Sequence, residues 1–126
     1  MEGIEMSFHS KRLSNFDLLR IHRAQAQGFE LPVTAYLNHV AIVGKSAMGV
    51  VFGHVRKGPL GRFDDGHYMH TSDIICARRE GRFWVLNTLN SRYVIATFQR
   101  DIGRQTLRDF LKVSAQEAHE PPHSIQ

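Results

Sequence analysis

The chain has 126 residues, of which 42% are hydrophobic and 10% aromatic, so it is long enough for one core and too apolar to be disordered throughout. Its formal net charge of +4 at pH 7 favours acidic partners, such as nucleic acid or an acidic protein surface. No apolar run approaches the roughly 18 residues that a membrane-spanning helix needs, so we expect no membrane partner.

The N-terminal part of the chain predicts a loose arm followed by a helix. Residues 1–12 show no clear period and lack the basic and apolar regions of a signal peptide, which indicates a cytoplasmic protein. The single cysteine of the chain agrees with this compartment. Ser14 and Asp17 fit a capping box, and the helix that they begin should run to about Gln27 and stop at Gly28.

Five strands are predicted after this helix. Residues 33–43 and 48–55 form the first two, and Gly49 marks a bulge or a close backbone approach. From Tyr68 to Phe98, three β-branched and aromatic runs are separated by two turn signals, which is typical of an antiparallel meander. We expect the strands of this meander at about 68–78, 82–88 and 92–98.

The C-terminal part predicts a second helix and a tail. Asp101 can cap a helix at about 103–114, and the chain becomes polar from Ala115 onward. We therefore predict one globular domain at 1–114 and a disordered tail at 115–126. The predicted fold class is α+β, with a small antiparallel sheet of about five strands between the two helices. The sheet would be strongly bent or closed into a partial barrel.

Two short patterns resemble enzyme motifs but lack parts that the chemistry needs. Gly44-Lys45-Ser46 matches the end of a phosphate-binding loop, yet His39 stands where the full motif requires its first glycine. The residues that follow predict a strand, whereas both this loop and a nucleophilic serine elbow must lead into a helix. We therefore expect neither an NTPase nor a serine hydrolase.

The densest group of potential metal ligands surrounds the predicted start of the meander. His67 and His70 lie near Asp65 and Asp73, and His54 could join them from an adjacent strand. Two imidazoles and two carboxylates would suit zinc or manganese. The aspartates are also typical of a plain turn, and no zinc-finger spacing is present, so we expect no metal and no other cofactor.

Basic side chains occur in three groups that could bind an acidic partner. They lie on the long loop, at the first hairpin turn of the meander and along one face of the last helix, where positions 104 and 108 are four apart. A solvated surface would present the same charges. The expected binding residues are Arg56, Lys57, Arg62, Arg78, Arg79, Arg82, Trp84, Arg104 and Arg108.

Trp84 allows two interpretations. Alternation along a strand sends Phe83 and Trp84 to opposite faces of the sheet, so one of them leaves the main core. An exposed Trp84 beside Arg82 would mark a binding surface on which a base could stack. A Trp84 covered by a terminal helix would only be packing, and we favour packing because both helices have apolar stripes to bury.

Four short motifs follow one pattern, which consists of a DG loop, a TS pair entering a strand and a T-x-N-S-x-Y hairpin. They are Asp65-Gly66, Thr71-Ser72, Asn87-Thr88 and Asn90-Ser91-Arg92-Tyr93. This pattern resembles small uncharacterised accessory proteins of phages and plasmids over about residues 48–98. The resemblance brings no catalytic residues. It implies a mobile-element setting, in which such proteins bind and block host machines, CRISPR effectors included.

The sequence therefore predicts a non-enzymatic binding protein that uses a basic, partly aromatic surface to block a protein or nucleoprotein complex. An anti-CRISPR-like inhibitor is its most concrete form. One alternative is a nucleic-acid-binding small β-barrel that contacts DNA or RNA, and another is a small metal-dependent hydrolase. A homodimer could also form if the predicted edge strand 92–98 paired with a second copy.

Overall fold

The computed structural model of the chain describes residues 12–56 and 63–119. The described residues form two helices, α1 (Asn15–Gln27) and α2 (Gly103–His119). They also form six strands, which are β1 (Ala35–Val43), β2 (Ser46–Phe52), β3 (Tyr68–His70), β4 (Cys76–Glu80), β5 (Phe83–Asn87) and β6 (Arg92–Ile95). All six strands belong to one sheet with the order β3-β2-β1-β6-β5-β4. β1 and β6 are parallel, and the other neighbouring pairs are antiparallel.

The sheet is open, with β3 and β4 at its two edges. This confirms the α+β class and the helix on each side of the strands in the chain, but the sheet is mixed and does not close into a barrel. β6 lies between β1 and β5, so the predicted strand 92–98 offers no open edge for a second copy. A homodimer that pairs through this strand is therefore excluded by the topology.

The span 68–78, predicted as one strand, instead supplies two strands at opposite edges of the sheet. β3 pairs with β2, whereas β4 pairs with β5. Between them the backbone N–H of Ile74 donates to the carbonyl of Lys45, and that of Ile75 donates to the carbonyl of Asn87. The chain thus crosses from one edge to the other past the β1–β2 turn, and these two backbone N–H groups stay hydrogen-bonded along the way.

A bulge interrupts β1 near its middle. The register with β2 shifts between Asn38 and Ala41, and His39 adopts a φ of 55°. A side chain at Gly49 of β2 would place its Cβ 2.9 Å from the carbonyl oxygen of Asn38. Glycine is therefore required where the bulged strand approaches, as the sequence predicted.

Each helix covers one face of the sheet. Ala24 of α1 packs in a buried cluster with Phe83, Val85 and Val94. Leu107 of α2 packs in a second cluster, whose other members include Leu37, Ile42, Leu86 and Ile95. Neighbouring residues of β5 and β6 belong to different clusters, which is the alternation expected of a strand buried on both faces.

The ends of the helices confirm most of the predicted capping. The Ser14 side chain accepts from the backbone N–H of Asp17, whose carboxylate accepts in return from the backbone N–H of Ser14. Before α2 it is the side chain of Gln99, and not the predicted Asp101, that accepts from the backbone N–H groups of residues 101 and 102.

α2 continues to His119, past its predicted end at residue 114. The rest of the predicted tail, 120–126, lies outside the described residues, as does most of the predicted arm at 1–12. Among the described helices, none combines the length and apolar character that a bilayer crossing requires.

Candidate anion-binding cleft

Three adjoining hollows lie at the end of the sheet where β5 begins and β6 ends. The first, of 330 Å³, borders Trp84. The second, of 760 Å³, runs between α1 and the start of α2, and the third, of 370 Å³, follows α1 to the β4–β5 turn. Arg20 lines all three. We call them together the arginine cleft, after the arginines that line it: Arg20, Arg23, Arg79, Arg82, Arg100, Arg104 and Arg108.

Three separate parts of the chain supply these arginines. Arg20 and Arg23 are one turn apart on α1 and therefore share a side of that helix. The β4–β5 hairpin supplies two more, and its turn is held to α1 because Gln27 accepts from the backbone N–H of Arg82 and donates to the carbonyl of Glu80. The remaining three follow β6 or lie on the first two turns of α2.

Two of the guanidinium groups rest on aromatic rings. The Cζ atom of Arg20 lies 4.5 Å from the centroid of the Phe83 ring, and its Nε donates to the carbonyl oxygen of Ala96 at 3.0 Å. The Cζ atom of Arg104 lies 4.6 Å from the centroid of the Phe98 ring. Such contacts hold the guanidinium in place, so less side-chain freedom is lost when the remaining N–H groups bind an anion.

Within the described part of the chain, no ion pair balances the positive charge of the cleft. Among the residues that the structure describes, none of the seven arginines forms an ion pair. The ion pairs found there join His39 to Asp17 and Arg92 to Glu80. Within the described lining of the three hollows, Asp101 is the one acidic residue. As far as the described residues extend, the cleft is therefore a strongly cationic surface with little acidic compensation.

The ionisation of Arg20 reports this crowding. Partial burial is the main reason why the pKa of its guanidinium lies below the usual value. Repulsion by three neighbouring guanidinium groups adds to the effect, and they belong to Arg104, Arg23 and Arg82. The N-terminus of α2 borders the second hollow and adds the partial positive charge of a helix start. An anion in the cleft would relieve all of these repulsions.

Trp84 packs against the core and also lines the first hollow. Its neighbours across the sheet are Arg79 on β4 and Ile95 on β6. It contacts the core cluster that α2 covers but is only half-buried, whereas Phe83 is buried on the opposite face. The predicted separation of the two aromatic residues is confirmed. The two interpretations of Trp84 do not exclude each other, because the side chain packs against the core and also borders the hollow.

The cleft brings together five of the nine predicted binding residues: Arg79, Arg82, Trp84, Arg104 and Arg108. Arg56 lies near the other end of β6, where its guanidinium donates to the Ser91 hydroxyl. Arg78 is exposed on β4 but lines none of the three hollows. Lys57 and Arg62 lie outside the described residues.

The lining residues that were not among the predicted binding residues include Arg20, Arg23, Phe98 and Arg100. A signal was present in the sequence, because Arg20 and Arg23 have helical spacing on an exposed side of α1. Their role depends on the contact of α1 with the end of β6, which joins residues 76 positions apart in the chain. Local patterns carry no information about such a contact.

A buried carboxylate fixes the joint on which the cleft is built. The carboxylate of Asp17 accepts from the backbone N–H of Ser14 at 2.8 Å, from Nε2 of His39 at 2.7 Å and from the hydroxyl of Thr97 at 3.1 Å. It therefore connects α1, the β1 bulge and the segment after β6. The same segment carries Phe98, so this connection positions one aromatic support of the cleft.

The residues that the sequence analysis named as potential metal ligands do not come together as a metal site. Within residues 12–56 and 63–119, no three His, Cys, Asp or Glu side chains form a group that could hold a metal ion. His54 is buried and stacks on Phe63 with 4.1 Å between ring centroids, and Asp65 accepts from the backbone N–H of Gly53. The other three are exposed: His67, His70 and Asp73.

The ring of His54 has a structural environment. Its Nδ1 accepts from the backbone N–H of Arg56 at 2.9 Å. Burial, followed by the charge of Arg56, lowers the pKa of the imidazole below 6.5. The neutral ring is thus favoured, and it closes the turn after β2.

Comparison of the chain with models of protein families, with curated proteins and with solved structures gives no match.

Proposed function

We propose that the protein is a non-enzymatic binding protein that holds a polyanionic partner in the arginine cleft. The observation that carries this proposal is the set of seven arginines that line three joined hollows, none of them ion-paired within the described residues. A fold gains nothing from collecting like charges in a concave surface, because their repulsion opposes folding. A binding role accounts for the arrangement.

The shape of the surface separates this cleft from ordinary surface charge. A single exposed ion pair contributes about 0–1 kcal/mol, so isolated arginines such as Arg78 make no site. A concave cluster focuses the field and raises both the local concentration of anions and their rate of association. The described cations of the cleft are all arginines, whose planar groups bind phosphate or carboxylate through two hydrogen bonds.

The most concrete form of the proposal is an inhibitor from a mobile element that binds a protein or nucleoprotein complex of the host and blocks it. The resemblance of the 48–98 motifs to phage and plasmid accessory proteins supports this setting. The cleft would take up a polyanion that normally binds a cationic site of the complex, or it would cover an acidic surface of the complex. A single free cysteine is compatible with action in the cytoplasm.

The proposal is tested by comparing two double variants on a heparin column. Arg82→Ala with Arg104→Ala removes two exposed cations from the cleft, and Arg56→Ala with Arg78→Ala removes two exposed cations elsewhere. Both variants have the same net charge, so a difference between them reports position. We expect the cleft variant to elute at clearly lower salt than the control. Equal elution of the two variants would refute the cleft as the binding site.

A further inference from the structure

We propose that the polyanion in the arginine cleft is a single-stranded nucleic acid. Its phosphates would lie along the arginines, and a base would occupy the hollow beside Trp84. This inference rests on the proposed function, because it names the partner of the same cleft. It goes further in requiring flat, apolar groups between the charges of the ligand.

The length of the cleft favours a linear ligand. The three hollows are joined through shared lining residues, since Arg20 borders all of them and Arg104 borders two. A single small anion would need only one hollow. A chain with repeated charges can follow all three, and each of its phosphates then meets a different arginine.

The aromatic residues of the cleft favour nucleic acid over an acidic peptide. Trp84 and Phe98 border the 330 Å³ hollow together with four arginines. The carboxylates of an acidic peptide would leave the half-buried side chain of Trp84 without a stacking partner. A base has a flat face that can stack on an indole ring or on an arginine guanidinium, and such stacking accepts any base.

The half-buried position of Trp84 favours a single strand over a duplex. The side chain lies in a hollow between the hairpin and α2, with Arg79 and Ile95 as its neighbours on the adjacent strands. Bases in a duplex are paired and stacked on one another, so they cannot enter such a hollow without unpairing. A single strand can turn one base inward while its backbone stays on the arginines.

The single tryptophan of the chain provides a direct readout, because Trp84 is the only indole that emits. The full chain is titrated with a fluorescently labelled oligothymidylate, and both the anisotropy of the label and the emission of Trp84 are followed. We expect saturable binding together with quenching of the tryptophan. The logarithm of affinity should fall with the logarithm of salt concentration with a slope between roughly −3 and −5. The first value corresponds to phosphates at the four arginines around Trp84, and the second to phosphates at all seven arginines of the cleft.

Three variants of the full chain locate the contacts. Arg82→Ala with Arg104→Ala should weaken binding at least tenfold and make the salt slope less negative by about 1–2, since each lost phosphate contact changes the slope by about 1. Arg56→Ala with Arg78→Ala should change affinity less than threefold. Trp84→Leu keeps an apolar side chain against the core and should weaken binding about fivefold or more while leaving the salt slope unchanged.

Competing ligands distinguish the binding of a single strand from the more general binding of a polyanion in the cleft. A duplex of the same sequence and a polyglutamate peptide should bind at least tenfold more weakly than the single strand. Tighter or equal binding of either would overturn the inference and leave the polyanion cleft standing. If the cleft variants bind the single strand as tightly as the unaltered protein does, both the inference and the proposed function are overturned. The absence of binding to any of the three ligands would also overturn both.

Discussion

Replacement of Asp17 by alanine tests how the joint beneath the cleft is held. Asp17 is 2% exposed and lies where α1, β1 and the segment after β6 meet. Alanine removes the acceptor of three hydrogen bonds at once. The donors that lose their partner are the backbone N–H of Ser14, the ring of His39 and the hydroxyl of Thr97.

The three losses differ in size. The Ser14 amide belongs to the capping box of α1, and loss of a cap costs about 0.5–2 kcal/mol. The Thr97 hydroxyl can still donate to the side-chain oxygen of Asn38, which lies 3.4 Å away. The His39 side chain is 35% exposed, so water replaces part of its bond. Hydrogen bonds to a charged group contribute about 1.5–3 kcal/mol each when nothing replaces them. We therefore expect Asp17→Ala to lower the free energy of unfolding by about 3–4 kcal/mol.

Urea unfolding followed by circular dichroism measures this change, and Ser14→Ala is the matched control. That variant loses the hydroxyl that caps the Asp17 amide but leaves the carboxylate in place, so it should cost only about 1 kcal/mol. The reasoning is refuted if Asp17→Ala costs no more than Ser14→Ala, because the carboxylate would then act only as a helix cap.

Two further predictions concern the packing of α2 and the turn after β2. Gly103→Ala should cost about 1–3 kcal/mol in urea unfolding, because its Cβ would lie 2.5 Å from the carbonyl oxygen of Val40, and an unchanged midpoint would contradict the close approach. Burial and then the charge of Arg56 lower the pKa of His54, so the unfolded chain binds a proton more readily than the folded protein. In the unfolded chain the imidazole of His54 has a pKa of about 6.5. Above this pH the contribution of His54 to the free energy of unfolding is fully present, and it decreases as the pH falls below this value. His54→Asn should therefore lose less stability than the unaltered protein between about pH 6.5 and 5, and parallel curves would contradict this assignment.

Local signals were sufficient for α1, for the start of α2 and for the hairpins, but not for the cap or the end of α2. The capping box at Ser14 placed the start of α1, and Gly28 placed its end. The turn signals before Phe83 and Arg92 placed the β4–β5 and β5–β6 hairpins, since an antiparallel hairpin is set by the few residues of its turn.

The pairing of strands that are distant in the chain could not be predicted from the sequence. Nothing in the pattern of residues 68–78 states that Tyr68–His70 joins one edge of the sheet and Cys76–Glu80 the other. The parallel contact of β1 with β6 is likewise set by the packing of the whole chain, and it places β6 in the interior. The alternation of apolar residues gives the faces of a strand but not its neighbours.

The candidate site divides in the same way. Arg79, Arg82 and Trp84 could be grouped because they are close together in the sequence. Arg20 could not be added, since it reaches the cleft only through contacts with Ala96 and with residues of the hairpin. Four positive charges meet around one hollow because three distant segments converge there.

The central claim is that the arginine cleft, and not the general basic charge of the chain, binds a polyanion. The most direct test is nuclear magnetic resonance of the arginine Nε–H groups while inorganic polyphosphate is added to the full chain. The account predicts that the Nε–H signals of Arg82 and Arg104 shift strongly and saturate together, while those of Arg56 and Arg78 change little. Shifts of similar size at all four arginines would show diffuse charge attraction and would contradict the account.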